Sequence, residues 1–367
     1  MERNSVRILY LINYAGKAGI EKYVANLVRL TEPLGGESLL AYAMAGPLSK
    51  TMEAQGVPSL RVSMRWCELR RAARTLAAWC REQGVEVIHA QCPRENVVAV
   101  LTKRLVPGLR VVYTGHFTTP CGPLWRRINR WAGRGDDAVI AVCEAAARVM
   151  TENGCCRERM VVIPNGMEPG SAPAPTGAVR REFGIGEREI LFVSLARCET
   201  EKGLDFLIES LVCLRRKTDT PFRCLVAGDG SLLESLRARA REEGLENLLI
   251  LPGYRTDAAQ LLAEGDVYLC SSRCNEALSF SILEAMDAGL PCVVTNVGGN
   301  RELAEEGERC GYVLDFGDAE GFADAMARLA QDDALRRALG ETARRKVAQR
   351  YNLRDQVASV YRVCAGE

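Results

Sequence analysis

The chain has 367 residues, more than one hydrophobic core commonly supports, so two domains are expected. Its 48 Lys and Arg nearly cancel its 47 Asp and Glu, which gives no reason to expect a nucleic-acid partner. Within that balance the basic excess lies before residue 170 and the acidic excess after it, which suits an acidic or membrane-surface partner for the first half.

Fifteen cysteines raise the question of metal or disulfides, but no C-x-x-C occurs and many lie inside apolar runs. Buried free thiols in a reducing compartment fit that pattern better. The first apolar run, residues 8–12, is too short for a signal-peptide core or a membrane span, and no later run reaches bilayer length. A soluble, cytoplasmic chain is expected.

In chain order, residues 7–12 read as a buried strand. A turn with Gly16 and Gly19 follows, then an amphipathic helix over 20–30. Strand, glycine-bearing turn and helix open a nucleotide-binding α/β domain. The turn lacks G-x-G-x-x-G, and so does the equivalent turn of the second half, which disfavours an NAD enzyme. No element is assigned between residues 31 and 67. A helix over 68–83, a strand over 85–91, a helix over 96–105 and a strand over 110–116 continue the series. The two histidines, His89 and His116, close those two strands. His116 is the stronger candidate for chemistry, because it stands among Gly and Thr before a Pro. Residues 124–131 predict a basic helix with Arg126, Arg127, Arg130, Trp125 and Trp131. Strands over 138–143 and 160–163 follow.

A Pro- and Gly-rich stretch then breaks the pattern and reads as a linker over 169–186. The series restarts with a strand over 189–195. Arg197 and Lys202 come after it, before Gly203 and a helix over 204–216. An Arg fork and a Lys point charge at a strand end can grip a diphosphate, although on this segment alone solvated surface cations are the better reading. Strands over 222–227, 248–251 and 267–271 alternate with helices over 232–243 and 258–263. Residues 274–302 then read as loop, helix, Gly289–Pro291 stop, strand 292–295 and Gly298–Gly299 turn, with Glu276 before the helix and Glu284 on it. Such a helix start attracts phosphate. Ser281 and Glu284 also fit a capping box, so Glu284 stays open between cap and ligand. Helices over 320–329, 334–349 and 353–363 end the chain. The fold class is α/β, with two doubly wound, mostly parallel sheets whose ligands bind beyond the strand C-termini.

Several short segments occur together and in order: GIEK at 19–22, VIHA at 87–90, VVYTGHF at 111–117, VIAVCE at 139–144, VIPNGM at 162–167, EKG at 201–203, AGDG at 227–230, and Glu276 to Gly299 with LEAM and GLPCVVT. With them the chain resembles the family 4 (group 1) retaining glycosyltransferases of GT-B fold over nearly its whole length. The resemblance implies two Rossmann-like domains facing across a cleft, an acceptor domain over 1–168 and a donor domain over 187–350, with the last helix, about 351–367, packing back on the first. It implies a nucleotide-sugar donor, a UDP- or GDP-hexose, and no further cofactor. Arg197 and Lys202 would bind the diphosphate, Glu276 the donor sugar and Glu284 the ribose. The N–H groups of Ala277, Leu278, Ser279 and Phe280 would meet the phosphate. Gly19 would close over the diphosphate, His116 would approach the reacting carbon, and Tyr254 and Arg255 would lie by the base.

No Asp-x-Asp is present, so a metal-independent transfer is expected, with Arg197, Lys202 and the helix start stabilising the leaving diphosphate. The acceptor would be a glycan or a lipid-linked glycan. The basic, Trp-bearing helix adds the expectation of peripheral contact with an anionic membrane at its inner face. Ala277 and Ser279 stand where the family often has glycine, and Ala18 where the first of two glycines is common. These departures keep a non-catalytic sugar-nucleotide-binding partner protein as an alternative, beside a sugar-nucleotide epimerase of the same fold.

Overall fold

The computed structural model describes residues 5–16, 18–274 and 276–367. Lys17, in the first glycine-bearing turn, and Asn275, beside Glu276, lie outside the described residues.

The chain divides into two compact units, residues 1–166 with 353–367 and residues 167–352. The first holds a seven-stranded sheet: β1 (Val6–Tyr14), β2 (Gly36–Met44), β3 (Ser59–Arg61), β4 (Val87–Ala90), β5 (Arg110–Gly115), β6 (Ala138–Ala141) and β7 (Met160–Val162). Their order is β3-β2-β1-β4-β5-β6-β7, with every neighbouring pair parallel. The second holds β8 (Ile190–Leu195), β9 (Phe222–Ala227), β10 (Leu249–Gly253), β11 (Val267–Cys270), β12 (Cys292–Thr295) and β13 (Gly311–Leu314). Their order, β10-β9-β8-β11-β12-β13, repeats the winding of the first sheet.

The strands are apolar because helices cover both faces of a doubly wound sheet. Ile8, Leu9 and Leu11 of β1 and Leu191, Phe192 and Val193 of β8 have no solvent exposure. Each such side chain contributes about 1.5–3 kcal/mol on burial. In both sheets the winding reverses between the first strand and the fourth. That reversal opens a crevice at the strand C-termini, where ligands bind in this topology.

Residues 31–67, to which the sequence assigned no element, form β2, the helix Pro47–Ala54 and β3. Strand β2 has a continuous buried run over 39–42 between exposed Glu37 and Met44 and carries no β-branched residue, so neither alternation nor residue type marks it. The closing helix, Leu353–Ala365, belongs to the first unit and packs on the helix Gly19–Thr31 and on β4, β5 and β6. Residues 169–186 belong to the second unit. The Asp287 carboxylate accepts N–H groups from Gly170 at 2.7 Å, Ser171 at 2.9 Å and Ala172 at 3.1 Å. Glu264 accepts from the Thr176 and Arg180 N–H groups at 3.3 and 3.1 Å. A stretch rich in Pro and Gly is thus tied down by two acidic side chains far along the sequence. None of the cysteines forms a disulfide among the described residues, and nine are buried.

Candidate functional site

In the second unit a site is built where β8 and β11 end. After β8 the chain makes a short 3-10 turn, Thr200–Lys202, and then Gly203, whose φ of 59° is left-handed. A Cβ at Gly203 would come within 2.2 Å of the Ser271 carbonyl oxygen, so glycine permits this close pass. The Ser271 hydroxyl donates to the Lys202 carbonyl at 2.9 Å, and the Arg273 N–H donates to the Glu201 carbonyl at 2.9 Å. These bonds hold the post-β8 loop against the post-β11 loop.

The result is an ion pair between Lys202 and Glu276, with the Lys202 side chain 23% exposed and that of Glu276 9%. The Ser272 hydroxyl donates to the same Glu276 oxygen at 2.7 Å. Burial alone would lower the Lys202 pKa, but the Glu276 carboxylate more than offsets it and leaves the ammonium above its usual value. Lys202 is therefore a cation held in a partly dry place. Arg197, two-thirds exposed, lies in the same field and pairs with Glu201 at 2.7 Å.

Glu276 is fixed from the other side by the Gly298–Gly299 turn. The Gly299 N–H donates to the Ala277 carbonyl at 2.7 Å. Gly298 has φ 55°, and a Cβ there would fall 1.4 Å from the Glu276 carbonyl oxygen. Residues Ala277, Leu278 and Ser279 are buried and lead into the helix Phe280–Asp287. Ser279 is its N-cap, and its hydroxyl lies 3.0 Å from that of Ser281. Ser281 is thus inside the first turn, and the Ser281–Glu284 capping box is not formed. Glu284 projects one turn further on and lines a cavity of about 110 Å³ with Ala258, Leu262 and Asp287. Gly289, at φ 81°, ends the helix.

The loop after β10 divides two neighbours. Tyr254 is 58% exposed. Arg255 forks onto Glu182 at 2.5 and 2.8 Å and onto Asp257 at 2.9 and 2.7 Å. These carboxylates raise the Arg255 pKa further and occupy its guanidinium, which gives it a task in holding residues 182 and 257 together.

Gly19 and His116 stand in the first unit. Gly19 is the first residue of its helix, where the Glu21 carboxylate accepts the Ala18 N–H at 3.0 Å. His116 follows β5. Its Nε2 lies 3.0 Å from Gln91 Oε1, and the Tyr23 ring meets it edge-on at 4.8 Å. Burial pushes its imidazole down to about 3, so the ring is neutral at physiological pH. His89 is fully buried, bonds Thr114 Oγ1 through Nε2 at 2.6 Å, and is also pushed down to about 3. It is a structural histidine. The structure thus gathers Arg197, Lys202, Glu276 and residues 277–280, and it adds Ser272 and Gly298 as supports. Ser272 had a weak signal, a Ser-Ser pair at a strand end four residues before Glu276.

The model for glycosyl transferases group 1 matches residues 176–346, and the model for glycosyltransferase family 4 matches residues 17–170. An Escherichia coli UDP-Gal:alpha-D-GlcNAc-diphosphoundecaprenol alpha-1,3-galactosyltransferase is 23% identical over 86% of this chain and 85% of its own length. A Bacillus anthracis N-acetyl-alpha-D-glucosaminyl L-malate synthase is 28% identical over 50% of this chain and 47% of its own, so the match spans about half of that relative. Among solved structures, Anabaena HepE in complex with UDP superposes with a TM-score of 0.87 at 20% identity, over 99% of this chain and all of its own. That likeness shows a shared fold of GT-B type.

Proposed function

Because this chain belongs to the glycosyltransferases, its halves matching family 4 and group 1, we propose that it moves a hexosyl unit from a UDP- or GDP-hexose to a glycan or lipid-linked acceptor in cell-surface polysaccharide or glycolipid synthesis, with retention and without a metal. The observation that carries this reading is the Lys202–Glu276–Ser272 cluster, with Glu276 and Ser272 buried and Lys202 partly so, beside the start of the helix Phe280–Asp287. The activities of its relatives supply the donor and acceptor classes.

In the proposed reaction the bond between the anomeric carbon and the diphosphate breaks. The acceptor oxygen bonds to that carbon from the same face, and its proton passes to the departing phosphate. Negative charge grows on the β-phosphate. Lys202 uses one N–H on Glu276 and has two left for that oxygen, with Arg197 as a second cation. Glu276, fixed by Ser272, receives the sugar hydroxyls and orients the ring. Glu284 takes the ribose, Tyr254 lies by the base, and the N–H groups of residues 277–280 meet the phosphate. Gly19 is assigned to the diphosphate and His116 to the donor sugar.

The test is a thermal-shift screen against UDP-, GDP- and ADP-hexoses, followed by transfer assays with and without EDTA. One nucleotide-sugar should raise Tm, and turnover should survive EDTA. Binding without turnover on any acceptor would support a non-catalytic partner protein, and turnover without acceptor an epimerase.

A second observation favours a membrane-facing acceptor. Among the described residues no helix is long and apolar enough to cross a membrane. The first unit instead exposes Leu124 at 70% and Trp66 at 49%, with Trp66 meeting Trp125 edge-on at 5.2 Å. Arg94 lies 5.8 Å from the Trp66 ring, and Arg127 and Arg130 are exposed on the helix Pro123–Gly133. Trp131, on the same helix, has the Arg104 guanidinium 4.8 Å from its ring. Exposed apolar side chains together with exposed arginines suit the cytoplasmic face of an anionic bilayer. Co-sedimentation with phosphatidylglycerol vesicles should fall at least about tenfold when Trp66, Leu124 and Trp125 become Ser, each anchor contributing about 1 kcal/mol or more. Equal binding by that variant would overturn the surface.

A further inference from the structure

Gln91 follows β4 and is fully buried. It was not among the residues that the motifs singled out for the site. Its amide nitrogen donates to the His89 carbonyl oxygen at 3.2 Å. A carbonyl only accepts, so that bond settles which end of the amide faces which way. The amide oxygen must then face His116, and it lies 3.0 Å from His116 Nε2. An amide oxygen also only accepts, so Nε2 must carry the proton. In a neutral imidazole the other nitrogen is then a bare acceptor.

We infer that Gln91 is a positioning residue: its amide locks His116 in the Nε2–H tautomer, so that Nδ1 presents a lone pair to a sugar hydroxyl. This role of Nδ1 rests on the transferase reading, whereas the tautomer does not. Three features support the lock. Gln91 is itself pinned, because its backbone N–H donates to Leu11 O at 3.2 Å. The Tyr23 ring stands edge-on to His116, at an interplanar angle of 73°, and limits its rotation. Among the described residues no donor reaches His116 Nδ1. The ring is also neutral, as its lowered pKa indicates. The inference selects hydroxyl-bearing ligands whose proton points at Nδ1 and disfavours a ligand that needs a donor there. A general-acid role for Nδ1 is excluded by the same proton count.

The chain has only two histidines, so protein labelled with ¹⁵N at histidine reports two rings, and His116→Asn identifies which is which. The His116 ring should show protonated Nε2 and bare Nδ1, unchanged from about pH 6 to 8. Adding the UDP- or GDP-hexose selected above should shift Nδ1 and leave Nε2 in place. Gln91→Met keeps the volume and removes the acceptor. It should leave His116 populating both tautomers and lower kcat about 10- to 100-fold, the usual effect of losing a partner that orients an imidazole, with donor KM little changed. Gln91→Glu keeps the acceptor and adds a negative charge, which favours imidazolium. His116 should then titrate at higher pH, and the rate should gain an acid limb. The other titratable groups facing His116 are His89, held near 3, and Tyr23, whose phenol burial raises, so neither titrates in that window.

A protonated Nδ1 in the unaltered protein would overturn the inference, as would an unchanged tautomer in Gln91→Met. If Gln91→Met does not fold, Gln91→Glu decides, and an unshifted His116 titration counts against the lock. Absence of any transferase turnover would overturn the function while leaving the tautomer readout intact.

Discussion

Glu276→Ala is expected to lower turnover of the nucleotide-sugar about 100- to 1,000-fold, the loss that follows removal of one preorganised polar group at a reacting centre. Lys202→Ala should fall in the same range, because it removes the cation proposed to meet the leaving phosphate. The two effects should not add. Each side chain holds the other in place, so the double variant should be little worse than either single one. Stability separates the two roles. Glu276→Ala leaves the Lys202 ammonium and the Ser272 hydroxyl without their carboxylate, at a cost of about 1–3 kcal/mol. Lys202→Met leaves the more buried Glu276 carboxylate without its ammonium and should cost at least as much. The Lys202 pKa is raised in the folded protein. Its stabilising contribution is thus fully present below the unfolded lysine pKa and is lost only as pH rises through the folded value. The stability gap between the unaltered protein and Lys202→Met should therefore persist through neutral pH and close at strongly alkaline pH. Steady-state kinetics and thermal melts across pH check both. Turnover unchanged in both single variants would remove the cluster from the mechanism.

Gly298→Ala is the second large effect, and it touches no ligand. Two penalties coincide. A φ of 55° strains any residue with a side chain, at about 1–2 kcal/mol. The new Cβ would also fall 1.4 Å from the Glu276 carbonyl oxygen, so backbone must move. The backbone that moves is the one carrying Glu276 and the approach to the helix Phe280–Asp287. A displacement near 1 Å at a reacting centre costs about 100-fold in rate. A loss of that order is expected in kcat, together with a lower Tm. Gly317→Ala serves as the control. It has φ 100° but no atom within 4 Å of the added Cβ, so it should lose stability and keep turnover. Equal losses of turnover in both variants would show that strain alone, and not the displacement of Glu276, is responsible.

Much of the molecule was legible before folding. Strands such as β9, β12 and β8 were marked by short apolar runs, and the helix over 280–287 by its Gly289 and Pro291 stop. Arg197, Lys202 and Glu276 could be singled out because they fall in or beside the segments that resemble the family, since charge at a strand end alone reads as well as a solvated surface. The Ser281–Glu284 capping box, one of the two readings open for Glu284, does not form. The helix begins at Phe280, one position before Ser281, and cap motifs fit several registers when Ser occupies both 279 and 281. β2 goes unmarked because its buried run over 39–42 shows no alternation and it has no β-branched residue.

The sequence by itself determined the alternation of strands and helices, the restart near residue 190 and the identity of the cations and carboxylates, because these depend on local periodicity and on residue type. Only the tertiary structure decided their partners. Lys202 and Glu276 are 74 residues apart and meet because β8 and β11 are neighbours in the sheet. Gly298 is critical because of a carbonyl 22 residues earlier in the chain, and Gln91 because of an imidazole 25 residues later. Arg255, equally charged and equally close to a strand end, is already committed to Glu182 and Asp257. Hydrogen-bond partners of this kind are set by strand order and register, which bring together residues that no local pattern connects.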